Sequence, residues 1–410
     1  MRTRIALSLT AALAIAAAPT AAGAQRLSGE RPSAGSVEEG FWTASDKAER
    51  AARTSAELNT DPALNAYVRG VACKVAVEYC GDVRVYVLDR PFFNATMAPN
   101  GYTEVWSGLM LRASNEAELA FTLSHEVTHF ERNHFLEAWN AEKNRQNAML
   151  ALSVGIAVLG ATAAVNSGSA EAARSIMDAT GNLIDVVYLA GMTAFFRFSR
   201  ENEAEADALG VRRMAAAGYD PRAAATIWTA VRDETASSQF ERTRKSEGRL
   251  NVFATHPLTR DRIASLEARA ASLGAGGDDG RARYRAAIRP HLSAWLRDDL
   301  RRRDYGQTLF LLNRLAVGGE DLGVLEFYRG EAFRLRRQDG DLHLAEEAYA
   351  AASAWPDAPP QAFRELGELR RKRGDVAGAR VAFETYLARA PQAEDAWLVQ
   401  DSLQSMGNPT

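Results

Sequence analysis

The chain has 410 residues, 25% of them charged and 47% hydrophobic, with a formal net charge of −3. This is ordinary globular composition at a length suited to two domains or three. It excludes a basic footprint for nucleic acid, and two cysteines in all exclude zinc-finger pairs.

Residues 1–24 carry two arginines, then an apolar run, then small residues at Ala22 and Ala24. The pattern reads as a signal peptide cleaved after Ala24, too short and too Ala-rich for a good membrane anchor. No cysteine follows the cleavage point, which argues against a bacterial lipid anchor. Residues 25–45 read as a flexible mature N-terminus and 46–77 as an amphipathic helix. Cys73 and Cys80, in CKVAVEYC, are open to three readings: a disulfide in an exported chain, two buried small hydrophobes, or, less readily, zinc ligands. VRVYVLDR (83–90) alternates Val83, Val85 and Val87 on one face, as a half-buried strand does, and GYTEVWSG (101–108) follows the turn APNG as a second strand.

Asn115, with Glu118 three residues on, opens a helix that the pattern carries to about Asn144. Within it, HEVTH sets His125 and His129 four residues apart, hence on one face, with Glu126 about 100° round the helix. Two neutral imidazoles so placed bind zinc, and the glutamate handles the proton of the attacking water. The bland alternative is a solvated helix rich in histidine. His134, about 140° round from His129 on the same helix, reads as structural. Residues 148–165 and 183–196 are apolar. The first has no charge but is Ala- and Gly-rich, and the second contains Asp185, so buried helices or an apolar hairpin dipping into a membrane surface fit better than full spans.

SRENEAEADALG (199–210) puts Glu203 and Asp207 on one helical face and Glu201 and Glu205 on another. A carboxylate that binds metal, followed one turn later by an aspartate that orients a ligand histidine, is a sensible pair. Residues 273–284 read as a linker. Beyond it, 285–410 is helical with a repeat: Gly340-Asp341 and Gly374-Asp375 are followed at equal offsets by Ala345 and Tyr349, then Ala379 and Phe383. Stacked helical pairs of the tetratricopeptide type need small residues and aromatics so arranged, and 302–316 looks like a degenerate third copy. His291 and His343 fall in this half and read as plain surface or core residues.

The combination of HEVTH, SRENEAEAD and THPLTRDR resembles the HtpX and CAAX-prenyl-endopeptidase family of zinc metallopeptidases. The signal peptide and C-terminal repeats resemble its periplasmic BepA-type members. The resemblance covers about 46–270 for the protease and 285–410 for the repeats. It implies an α+β, mostly helical, zincin-type (gluzincin) metallopeptidase domain (46–272) with a small sheet, followed by an all-α tetratricopeptide-like domain. It also implies that Glu203 is the third zinc ligand, Asp207 its supporting partner, and that His256 and Arg262 lie at the active site. NATMAPNGYTEVWSGLM (94–110) is then the edge strand along which substrate pairs, with Asn100 where a glycine is common.

The expectation is an exported, periplasmic zinc metalloendopeptidase of a Gram-negative-like bacterium. One Zn²⁺ per chain sits on His125, His129 and Glu203, with Glu126 as base and His256 or Arg262 helping at the oxyanion. His256 has a second role open to it, covering the zinc until substrate arrives. The expected partners are protein or peptide substrates such as misfolded envelope proteins, a protein held by the repeats, no nucleic acid, and peripheral membrane contact through 148–196. The competing class is a periplasmic chaperone or adaptor acting through its repeats, with latent protease activity; a zinc hydrolase of non-peptide substrates is the remote third.

Overall fold

The structure is a computed structural model and describes residues 25–141, 169, 198–245, 260–274 and 276–407. The expected signal peptide, the apolar stretches 148–165 and 183–196, and His256 lie outside the described residues. Among those described, no helix is long and apolar enough to cross a membrane.

The fold is α+β and mostly helical, as expected. Its first departure is at the start. Residues 27–40 are mostly exposed, but the stretch 25–45 is tied to the body of the protein at Arg26 and at Phe41 and Trp42. Arg26 donates its backbone N–H to the Glu131 carbonyl at 2.8 Å, its guanidinium meets Glu38 (2.7 Å) and Asn133 (2.6 Å), and it lies over the Phe130 ring. Ser36 then caps α1 (Val37–Arg53) by accepting from the Glu39 N–H. The single helix expected over 46–77 is two, because Asp61 caps α2 (Pro62–Val75) and Pro62 occupies its first turn. Cys73 and Cys80 form a disulfide from the end of α2 to the short 3₁₀ turn after it.

Three strands follow: β1 (Arg84–Leu88), β2 (Ala95–Met97) and β3 (Tyr102–Trp106). Their order is β1-β3-β2, with β3 parallel to β1 and antiparallel to β2, so that Val87 pairs with Val105 and Ala95 with Val105 across the other edge. The expected strands at 83–90 and 101–108 are β1 and β3; three-residue β2 gives too short an alternation to read. After α3 (Ser107–Arg112) and α4 (Glu116–Glu131), the helix expected to run to 144 breaks. Asn133 takes a left-handed conformation (φ 51°) and α5 (His134–Ala141) starts afresh. Next come α6 (Arg200–Ala216), α7 (Ala223–Ala236), the one-turn α8 (Glu241–Arg244) and α9 (Arg260–Leu273). Helix α4 runs through the middle, packed by α2, α6 and α7 and by β2, and every residue of it is buried.

Residues 273–284, expected as a linker, lie between helices that share one core. The backbone of 278–279 is hydrogen-bonded to Gly218, Asp220 and Ala117. Helix α10 (Arg281–Arg301) packs on α2, α3 and α4, with Tyr284, Ile288, Leu292, Trp295 and Leu296 in the same apolar cluster as Leu64, Val68 and Leu109. The Tyr284 hydroxyl donates to the Met110 carbonyl. A buried ion cluster adds a second tie: Arg112 on α3 meets Glu234 on α7 (2.6 Å) and Asp299 on α10 (2.7 Å). Helix α11 (Tyr305–Ala316) packs on α7, and its Arg314 reaches Glu118 at the start of α4.

After the turn at 317–321 the chain continues as paired helices α12 (Leu322–Arg336) with α13 (Asp341–Ser353) and α14 (Pro360–Arg373) with α15 (Val376–Arg389), ending in α16 (Ala396–Ser405), and Leu325, Tyr349 and Leu366 still belong to the same apolar cluster. The pairing follows the repeat in the sequence. The Tyr349 ring packs on Gly330 and the Phe383 ring on Gly367, so closely that a Cβ at either glycine would lie within 2.5 Å of a ring atom.

Because α10 covers α2, α3 and α4 and α11 covers α7, a chain ending at residue 284 is expected to show no cooperative thermal transition. One ending at residue 319 is expected to keep it, and circular dichroism melts distinguish the two. Asp299→Ala leaves Arg112 short of a buried partner and is expected to cost about 3–5 kcal/mol in chemical denaturation.

Candidate metal centre

Two helices build the centre. Asn115 caps α4 by accepting from the Glu118 N–H at 2.9 Å, and Glu118 in return accepts from the Ser114 N–H at 2.7 Å. Ser199 caps α6 through the Asn202 N–H. The helices meet at backbone distance: a Cβ on Gly210 would sit 3.2 Å from the His125 nitrogen. The Ser124 hydroxyl donates to the Gly210 carbonyl at 3.0 Å. This close approach aims HEVTH and EAEAD at each other.

Between them His125, His129 and Glu203, all buried, bring one ligand atom each to within 4.8 Å of one another. The two Nε2 atoms are 3.1 Å apart, and the Glu203 carboxylate oxygens lie 3.5 Å from His125 Nε2 and 3.7 Å from His129 Nε2. A tetrahedral ion with bonds of about 2.0–2.1 Å sets its donors roughly 3.3 Å apart. The donor set and its spacing therefore fit a divalent metal. Glu126, one residue on from His125, is also buried, close enough for its charge to act on Arg262.

Further residues hold the donors. Asp207 lies one turn beyond Glu203, and its carboxylate is 3.1 Å from His125 Nδ1. Burial opposes its ionisation, but Arg262 and then His125 keep its pKa below the usual value. Arg262, from α9, reaches Asp207 through Nε and Nη2, both at 2.8 Å, and Glu203 through Nη1 at 2.7 Å. Its guanidinium is thus shared between the two carboxylates, both buried with it. His129 is flanked by Phe198, stacked at 3.8 Å, and by His134, whose Nδ1 is 2.9 Å from His129 Nδ1. The sequence reading placed His134 on the far side of a continuous helix; the break at Asn133 swings it back behind His129. Asn133 beside a helix end was the one available signal. Glu205, read only as lying on another face, approaches His134 Nε2 at 3.3 Å.

β2 lies at the edge of the sheet among the described strands, and α4 packs against it. Asn100 shapes the β2–β3 turn: its side chain accepts from the Tyr102 N–H at 3.0 Å and donates to Asp46 at 2.6 Å. His291 bonds Asp61 at 2.8 Å, and His343 faces Glu347 on the exposed side of α13, both away from the centre.

Burial works against a charged His125, but its hydrogen bonds to Asp207 and Glu203 outweigh this and push it up to about 9. A metal must displace that proton. Apparent affinity for a divalent metal is therefore expected to climb as the pH rises towards about 9, with proton release seen as buffer-dependent heat in titration calorimetry. An affinity independent of pH would count against the arrangement.

Comparison with known proteins agrees with this geometry. A beta-barrel assembly-enhancing protease of Escherichia coli is 26% identical over 225 residues, 54% of this chain and 42% of the relative. The Yersinia pestis protein of the same name has the same identity and coverage. A mitochondrial metalloendopeptidase of Schizosaccharomyces pombe is 31% identical over 196 residues, 47% of this chain and 49% of the relative. The match thus spans less than half of each relative's length. Residues 58–270, more than half of the chain and the stretch that contains every donor described above, match Peptidase family M48. The chain belongs to peptidase family M48.

Proposed function

We propose that the chain is an exported zinc metalloendopeptidase acting on protein substrates, with His125, His129 and Glu203 as ligands and Glu126 as general base. The observation that carries this is the convergence of three buried donors, two imidazoles and a carboxylate, at the spacing of a tetrahedral ion. Three protein donors with one position left for solvent are the set used by catalytic zinc. When bound, zinc lowers the pKa of a coordinated water towards neutrality and polarises the scissile carbonyl.

The chain's own groups do the rest. Asp207 accepts the Nδ1–H of His125, so that the Nε2 lone pair points into the centre. Arg262 holds Asp207 and Glu203 in place and offsets part of their charge. Glu126 takes the proton of the attacking water and returns it to the leaving amine. Substrate adds as an extended strand along β2 at the sheet edge, where main-chain pairing is independent of sequence. His256, in THPLT, keeps the two roles open to it from sequence, oxyanion donor or cover.

Export is supported by the signal-like residues 1–24 and by the Cys73–Cys80 disulfide, which suits an oxidising compartment such as a periplasm. The relatives named as beta-barrel assembly-enhancing proteases make envelope proteins the substrate class to try first. The tetratricopeptide-like pairs α12–α13 and α14–α15 supply a platform for a protein partner. The adaptor reading differs in one outcome: its function survives loss of the base.

Glu126→Gln is expected to keep full metal content and lose proteolysis of an unstructured protein by roughly 10²–10⁴-fold. Glu203→Ala is expected to lose the metal itself, by elemental analysis. Wild-type cleavage by fully loaded Glu126→Gln protein would remove Glu126 as the base.

A further inference from the structure

His129 and His125 are supported differently. His125 has a carboxylate, Asp207, directly at its Nδ1, whereas His129 has a second imidazole there. That imidazole, His134, is fully buried at the start of α5, placed by the left-handed turn at Asn133, which Arg26 holds through a 2.6 Å bond. The other nitrogen of His134 faces Glu205 at 3.3 Å, and Glu205 in turn receives the Arg132 Nε at 2.7 Å. A line of polar contacts therefore runs from a half-exposed carboxylate on α6, through His134, to the back of a metal-site histidine.

The direction of that line is fixed by chemistry. An ionised carboxylate only accepts, so His134 carries its hydrogen on Nε2 towards Glu205. Neutral His134 then has a lone pair on Nδ1, and at 2.9 Å the hydrogen between the two rings must belong to His129 Nδ1. With its hydrogen there, His129 turns the lone pair of Nε2 towards His125 and Glu203. The reverse direction would put a hydrogen on His129 Nε2, inside the centre, and no metal could bind to that nitrogen.

We propose that His134 is a positioning residue of the metal centre: it accepts from His129 and so selects the tautomer that can ligate, with Glu205 setting the direction of the relay. This rests on the reading of His129 as a metal ligand. It gives Glu205, on the other face of α6 from Glu203, an indirect part in metal binding.

The test is zinc affinity by chelator competition on the purified full chain, alongside apo-protein melting. His134→Phe fills the site with a ring but cannot accept a hydrogen bond. It is expected to weaken zinc by roughly 10–100-fold, the usual effect of losing a partner that orients a ligand histidine. His134→Asn can put its amide oxygen where Nδ1 was, and is expected to bind more tightly than His134→Phe despite filling the site less well. A role in packing alone reverses that order. Glu205→Gln, at a half-exposed position, keeps the ring in place but no longer enforces the direction. It is expected to weaken zinc by less than His134→Phe does, and it carries the test should His134→Phe fail to fold. The Co²⁺-substituted visible spectrum, expected to shift in His134→Phe, gives a readout independent of turnover. Wild-type affinity in both His134→Phe and Glu205→Gln, with Glu203→Ala unable to bind, overturns this inference alone. Absence of zinc binding by the wild type overturns the metalloendopeptidase reading instead.

Discussion

The contact between α4 and α6 at Gly210 is the constraint on which everything else depends. Two imidazoles and a carboxylate from helices distant in sequence can reach a common point only if those helices approach to backbone distance. The Gly210 hydrogen atoms face the His125 nitrogen and Cα, and the Ser124 hydroxyl closes on the Gly210 carbonyl. A larger side chain here would part the helices by a few tenths of an ångström or more, and the spread would be felt at all three donors together. Tight packing is thus what sets the spacing of the metal centre.

Bringing so many charges into a dry interior has its own requirement. Glu203, Asp207, Glu126 and His125 are all buried, and isolated carboxylates there would be costly. The fold answers with one guanidinium, Arg262, that bridges two of the carboxylates, and with a helix α9 packed on both α6 and α7 to hold it. The same device recurs away from the centre, where Arg112 joins Glu234 and Asp299. In each place an arginine links helices that sequence sets far apart, and a pair of charges left half-made would be worse than none.

How much of this could be read from the sequence follows from how local each cause is. The HEVTH face, the Asn115 cap and strands β1 and β3 depend on neighbours a few residues away, and periodicity exposes them. The stacked pairs α12–α13 and α14–α15 show as a repeat because Ala345 with Tyr349 and Ala379 with Phe383, all buried, recur at one spacing. Other features are non-local. Nothing near Arg26 in the sequence points to Glu131 or Asn133, and the Gly-rich stretch before α10 looks like a spacer although its backbone is bonded to residues 117, 218 and 220. His134 was misplaced for a subtler reason. Its position depends on one residue, Asn133, leaving the right-handed helical region, and helical periodicity carried past such a break gives the wrong side. The split between α1 and α2 did have a local signal, Asp61 before Pro62, that the amphipathic pattern masked.

The way α10 closes the core bears on the protein's birth. A chain still emerging from a ribosome has His125, His129 and Glu203 outside by residue 203. Arg262 follows nearly sixty residues later, and the apolar surface of α2 and α3 stays uncovered until α10 and α11 arrive. Until then a half-emerged chain holds the letters of a protease without its walls. It has the three donor side chains but no rigid core to hold them at a common point, so the centre is unassembled at the stage when the proteins nearest to it are the machinery that is making it.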